Sequence, residues 1–86
     1  MSSNPKEVAA VIDWVTSGKA QITGRVRINT RVSSYGLKHH AEDDIGWYIS
    51  NESLIDGMIA LGFRAKKCDP KSPNCYFNIN IPKEKY

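Results

Sequence analysis

Residues 33–62 read SSYGLKHHAEDDIGWYISNESLIDGMIALG, and the periodicity of this stretch decides the fold class. Leu37, Ala41 and Ile45 recur at a spacing of four, which stacks them on one helical face, with Tyr35 flanking. Ser33 and Ser34 offer caps, so a helix is expected over roughly 34 to 44. Gly46 interrupts the pattern, and Trp47-Tyr48-Ile49 makes a short apolar connection. Ser50-Asn51 then offers another cap before Leu54, Ile55, Met58 and Ile59, and Gly62 supplies a stop. This second helix is expected to be the best-buried element, its solvent side carrying Glu52, Ser53, Asp56 and Gly57.

The flanking segments complete the pattern. Upstream, Asn4, Pro5 and Glu7 combine a cap, a first-turn proline and a capping-box acid. Val8, Val11, Ile12 and Val15 follow at helical spacing, so a helix is expected from about 5 to 17, ending at Gly18. Ile22, Gly24, Val26 and Ile28 alternate with Thr23, Arg25, Arg27 and Asn29, the period of a half-buried strand whose polar face shows two arginines. Downstream, Phe63 and Ala65 alternate with Arg64 and Lys66, residues 69–74 carry turn chemistry, and Phe77, Ile79 and Ile81 alternate with Tyr76, Asn78 and Asn80. The expected order is α-β-α-α-β-β with a small antiparallel sheet: an α+β domain whose helix pair and closing hairpin give a winged-helix-like arrangement. An unrelated α+β sandwich of the same order is the competing architecture, since fold alone does not establish function.

With 86 residues the chain makes one domain over 1–86, with fraying expected at 1–4 and 82–86. Apolar residues at 41% and charged residues at 24% match a globular protein and argue against general disorder. No apolar run approaches the ~20 residues needed to span a bilayer. The amino terminus lacks a secretory pattern, so the cytoplasm is the expected location. A net charge of +3 tilts mildly towards anionic partners, and its distribution says more. Arg25, Arg27, Arg31 and Lys38 fall in one stretch and Arg64, Lys66, Lys67 and Lys71 in another, while Glu42-Asp43-Asp44 and Glu52/Asp56 hold acidic groups apart.

Ser33-Ser34-Tyr35-Gly36-Leu37-Lys38-His39, Glu42, Gly46-Trp47-Tyr48, Asn51, Ile55, Gly62-Phe63, Pro73-Asn74 and Phe77-Asn78-Ile79 resemble a pattern found in small proteins carried by phages and plasmids. The resemblance covers roughly residues 26 to 81. It implies a mobile-element origin, and hence either a regulator of that element or a protein that interferes with host defence. It supplies no catalytic residues.

If the three strands pair, Arg25, Arg27, Arg64, Lys66, Tyr76, Asn78 and Asn80 share the solvent side of the sheet, where cations neutralise phosphates and Tyr76 offers a stacking surface. A merely solvated sheet face is the plainer alternative. Ser34, with Arg31 and Lys38 nearby, is a second candidate, since free amides at a helix start suit a phosphate; an ordinary serine cap is the alternative. Lys67 joins the set of phosphate contacts. The second helix of the pair, which enters the major groove in a helix-turn-helix, has no Lys or Arg between Asn51 and Gly62, so the wing and first strand are expected to contribute more.

Cys68 and Cys75 flank the hairpin loop; a disulfide across it and two free thiols both remain open, free thiols being the expectation in the cytosol. His39 and His40 match no zinc spacing, and no cofactor or metal is expected. No P-loop, nucleophile elbow or Cys/His pair is present, so no catalytic residue is assigned. Trp47 is expected in the core, while for Trp14 core and interface stay open. Two uses follow: a nucleic-acid-binding regulator, DNA before RNA, or a protein-binding inhibitor of a host nuclease complex, anti-CRISPR-like in kind. A homodimer fits either.

Overall fold

Asn4 accepts from the Lys6 amide and Pro5 occupies the first helical turn, which starts helix α1 (Pro5–Thr16). The computed structural model describes residues 3–82. Strand β1 (Thr23–Asn29) follows, then α2 (Ser34–Ile45), α3 (Asn51–Ala60), β2 (Ala65–Lys67) and β3 (Cys75–Asn80). The helix pair is punctuated by Gly46, which adopts φ 95°, a left-handed conformation that ends α2 and that glycine takes without strain. The sheet is antiparallel in the order β1-β3-β2, so the last of the described strands is central. The fold is therefore a small α+β domain of three helices and a three-stranded antiparallel sheet.

The core lies between the helices and the inner sheet face. Phe77 and Ile79 of β3 meet Val11, Trp14, Leu37, Leu54 and Met58 there. Side chains fasten β3 to its surroundings: the Cys75 amide donates to Ser34 Oγ at 3.1 Å, and the Asn29 amide nitrogen donates to the Ile79 carbonyl at 3.1 Å. Both Ser34 and Asn29 are buried, so each bond also satisfies a polar group withdrawn from water. Among the described residues no helix is long and apolar enough to cross a membrane.

Several local expectations give way to tertiary contacts. Glu7 does not close a capping box on its own helix; its carboxylate accepts from the Ser50 amide at 2.9 Å, at the start of α3. That hydrogen bond, with others from Ser53 and Ser50, holds the Glu7 carboxyl below its usual range against the opposing effect of burial. Ser53 and Gly57 are buried rather than solvent-facing, because α3 turns them towards α1. The Asn4 amide donates to Ser53 Oγ and Ser3 to Asp56, so residues 3 and 4 are tied down; residues 1, 2 and 83–86 lie outside the described residues. Trp47 stands 46% exposed, whereas Trp14 is only 2% exposed, its indole donating to Asp44 at 2.7 Å. The expected alternation of β1 also breaks: Val26 points outward.

A glycine is required at 57 by close approach. A Cβ there would lie 2.7 Å from Val11 Cγ1 and 2.9 Å from Val11 Cβ, closer than packed carbons sit. Gly57→Ala is therefore expected to destabilise the domain by about 1–2 kcal/mol, the overpacking outweighing alanine's helix preference. Denaturant unfolding checks this, and Val11→Ala in the same chain is expected to recover part of the loss; an unchanged midpoint for Gly57→Ala contradicts it.

Candidate nucleic-acid interface

The pleat of β3 divides its residues. Cys75, Phe77 and Ile79 point into the core, leaving Tyr76, Asn78 and Asn80 on the outer face. Lys66 of β2 is the register partner of Tyr76, and Thr23 of β1 is that of Asn80. Asn78 ties both edges together. Its side-chain oxygen accepts from the Arg64 amide at 2.6 Å, its backbone amide donates to the Arg64 carbonyl, and its side-chain nitrogen donates to the Arg25 carbonyl at 2.9 Å.

The β1 edge carries an irregularity. Gly24 pairs with Ile79 and Asn29 with Phe77, so residues 25–28 of β1 face Asn78 alone. The surplus chain bows outward as an arch, a bulge larger than the usual single extra residue. Each of its carbonyls finds a side-chain donor: Asn78 for Arg25, the Arg64 guanidinium for Val26, and Arg25 Nε at 3.0 Å and its terminal nitrogen at 3.4 Å for Arg27 and Ile28. The arch is thus braced by two arginines and an asparagine. Val26 is 84% exposed upon it.

Among the described residues Arg25, Arg27, Arg64 and Lys66 form no ion pair, and the pairs found there involve Glu42, on α2. Their charge is therefore uncompensated at short range, which leaves the outer face electropositive. The Tyr76 hydroxyl is pushed up, first by the neighbouring Cys68 side chain and then by slight desolvation and Asp69.

Other candidate residues fall elsewhere. Ser34 is fully buried and its hydroxyl is committed to Cys75, while Ser33 makes no side-chain cap bond, so this helix start does not present its serines to a phosphate. Lys38 is only 7% exposed. Its ammonium sits 3.1 Å from Glu42 and over the rings of Tyr48 and Tyr35, at 4.7 and 5.7 Å from their centroids. Burial raises the Glu42 carboxyl, but hydrogen bonds from the Ile49 amide and Lys38 outweigh it and hold it low. Both depressed carboxylates stabilise the fold above the ordinary carboxylate range, a contribution lost as pH falls through their lowered values. Arg31 is exposed in the turn before α2, its amide held by Asn29. Lys67 pairs with Cys75 and so takes the opposite pleat from Lys66. Cys68, bonded through its amide to the Asn74 carbonyl, carries its thiol beside Tyr76, whereas Cys75 is buried; both are free thiols.

Sequence reasoning missed Val26 and the bracing roles of Arg25, Arg64 and Asn78. Alternation assigned Val26 inward, and no local signal marks a register shift. Other exposed aromatics, also missed in part, are Tyr35 and Tyr48 beside Lys38, and Trp47 next to Tyr48 in the chain. Among the described residues no three His, Cys, Asp or Glu side chains gather as a metal site would. No protein family, curated protein or solved structure matches this chain.

The brace has a measurable consequence. Asn78→Ala leaves the Arg64 amide and Arg25 carbonyl to water, at a cost of about 1 kcal/mol. Hydrogen exchange at the Arg64 amide is expected to quicken about fivefold, and exchange at the wild-type rate contradicts the bracing role.

Proposed function

We propose that this protein is a non-catalytic nucleic-acid-binding domain of winged-helix-like build, with the outer sheet face as its contact surface. The uncompensated cluster of Arg25, Arg27, Arg64 and Lys66 beside Tyr76, Asn78 and Asn80 carries this proposal. Cations on a preformed face suit phosphates, the side-chain amide of Asn80 and the ring of Tyr76 suit sugar or base edges, and the sheet keeps them in fixed register. The element order, the sheet order β1-β3-β2 and the short turn joining α2 to α3 support the winged-helix-like assignment.

Helix α3 takes no part in phosphate contact. Its exposed residues include Glu52 and Asp56, and two carboxylates facing a phosphate backbone are repulsive. The hairpin and the arch of β1 therefore dock first, with Arg31 and Lys71 as peripheral charges. Duplex DNA is the favoured partner, and a regulatory role on a mobile element fits the sequence resemblance. A second reading, a protein-binding inhibitor of a host nuclease complex, is favoured by the exposed aromatics Tyr35, Trp47 and Tyr48, residue types enriched in protein interfaces.

A salt titration of binding to duplex DNA, single-stranded DNA and RNA tests the proposal. Log affinity is expected to fall linearly with log salt, and Arg27→Ala/Lys66→Ala is expected to lower the slope by roughly one per phosphate contact removed. Among the described residues neither side chain forms a hydrogen bond or ion pair, so the double variant reports on contact. Absence of binding at low salt to all three nucleic acids would sink the proposal and favour the protein-partner reading.

A further inference from the structure

The outer face explains the cations of the arch, but not its apolar tip. Most apolar side chains near β1 point inward or are partly covered: Ile22 is buried, and Ile28 is half-buried. Val26 is the exception, and it stands on a backbone whose carbonyls are held by side chains. The carbonyls of residues 25–28 are bonded by Asn78, Arg64 and Arg25, so the tip is rigid before any partner arrives. A bulge on an edge strand also discourages strand addition, but that use needs no apolar side chain, and a charged one would serve it better. Isolated exposed valines are common on protein surfaces. Here the valine lies between Arg25 and Arg27, with Arg64 bonded to its own carbonyl, so an apolar point is ringed by unpaired positive charge.

We infer that the arch of residues 25–28 enters the minor groove of duplex DNA, with Val26 as a wedge against a base step. This inference rests on the nucleic-acid reading above and assigns that surface its groove. The minor groove is roughly 6 Å wide, too narrow for a helix but open to a single extended segment with a small side chain at its tip. Its negative potential, deepest where the groove is narrow, draws arginine. An apolar side chain pressed between base pairs partly unstacks them and kinks the duplex by roughly 20–90° away from the protein. Preorganisation matters because the unstacking cost is offset only if the wedge itself loses little freedom on binding. Arg25 and Arg64 supply that rigidity, and Arg27, which no side chain among the described residues engages, is left to reach a phosphate at the groove wall.

The test uses the full chain and an A·T-rich duplex labelled with a donor and an acceptor dye at its ends. Wild type is expected to bind, to raise energy transfer by bending the duplex, and to be displaced by a small minor-groove ligand such as netropsin. Val26→Ser, at a site this exposed, leaves folding intact by thermal unfolding. The variant is expected to lose the bend and to bind about five- to tenfold more weakly, a cost in the range of one poorly matched base pair. Bending and affinity like those of wild type in Val26→Ser overturn the wedge while leaving the nucleic-acid reading in place. Binding that netropsin does not compete overturns the groove assignment in the same way. No binding of wild type to the duplex at low salt, against binding to single strands, overturns the inference alone; no binding to any nucleic acid overturns both.

Discussion

Everything in this domain hangs on the burial of one face of β3. Phe77 and Ile79 are completely removed from water, and a strand's period of two then leaves no choice about Tyr76, Asn78 and Asn80, which must face out. A one-residue slip would bury Asn78 and expose Phe77, an exchange costing several kcal/mol in transfer energy alone. Buried side-chain bonds at Cys75 and Ile79 reinforce the register from α2 and from the end of β1. The outer face is thus a by-product of the inner one, with its chemistry free to vary.

That freedom is used twice at Asn78. A strand three residues shorter between its pairing points than β1 leaves backbone carbonyls without ladder partners, and an asparagine with both donor and acceptor can serve both edges at once. The arginines that brace the arch are also charged, so the device that satisfies the backbone makes the face electropositive. Structure and proposed recognition therefore share residues, which is why Arg25 and Arg64 are poor probes of contact and Arg27 and Lys66 better ones.

Much of the fold was legible in the residues. Helical spacing at Leu37/Ala41 and at Leu54/Met58, the proline and asparagine before α1, and the alternation of Tyr76 to Ile79 each reflect short-range physics that a sequence displays directly. Most of the failures are long-range. Trp14 and Trp47 look equally apolar, and only the approach of Asp44 to the Trp14 indole distinguishes them. Lys38 reads as a surface cation until Glu42 and the tyrosines enclose it. Val26 was assigned inward because alternation presumes a continuous ladder, and the extra residues of β1 are visible only against the partner strand. Of the candidate site, the outer-face cluster was legible and the arch that organises it was not.

The central claim is that the outer sheet face, and not α3, meets nucleic acid. Amide chemical shifts of the isotopically labelled protein, followed by NMR on addition of an unlabelled duplex, test it most directly. The largest changes are expected at residues 25–28, at 64–66 and at 76–80, with Asn51–Ala60 nearly unmoved. Changes centred on α3, or on Tyr35, Trp47 and Tyr48, would contradict the claim.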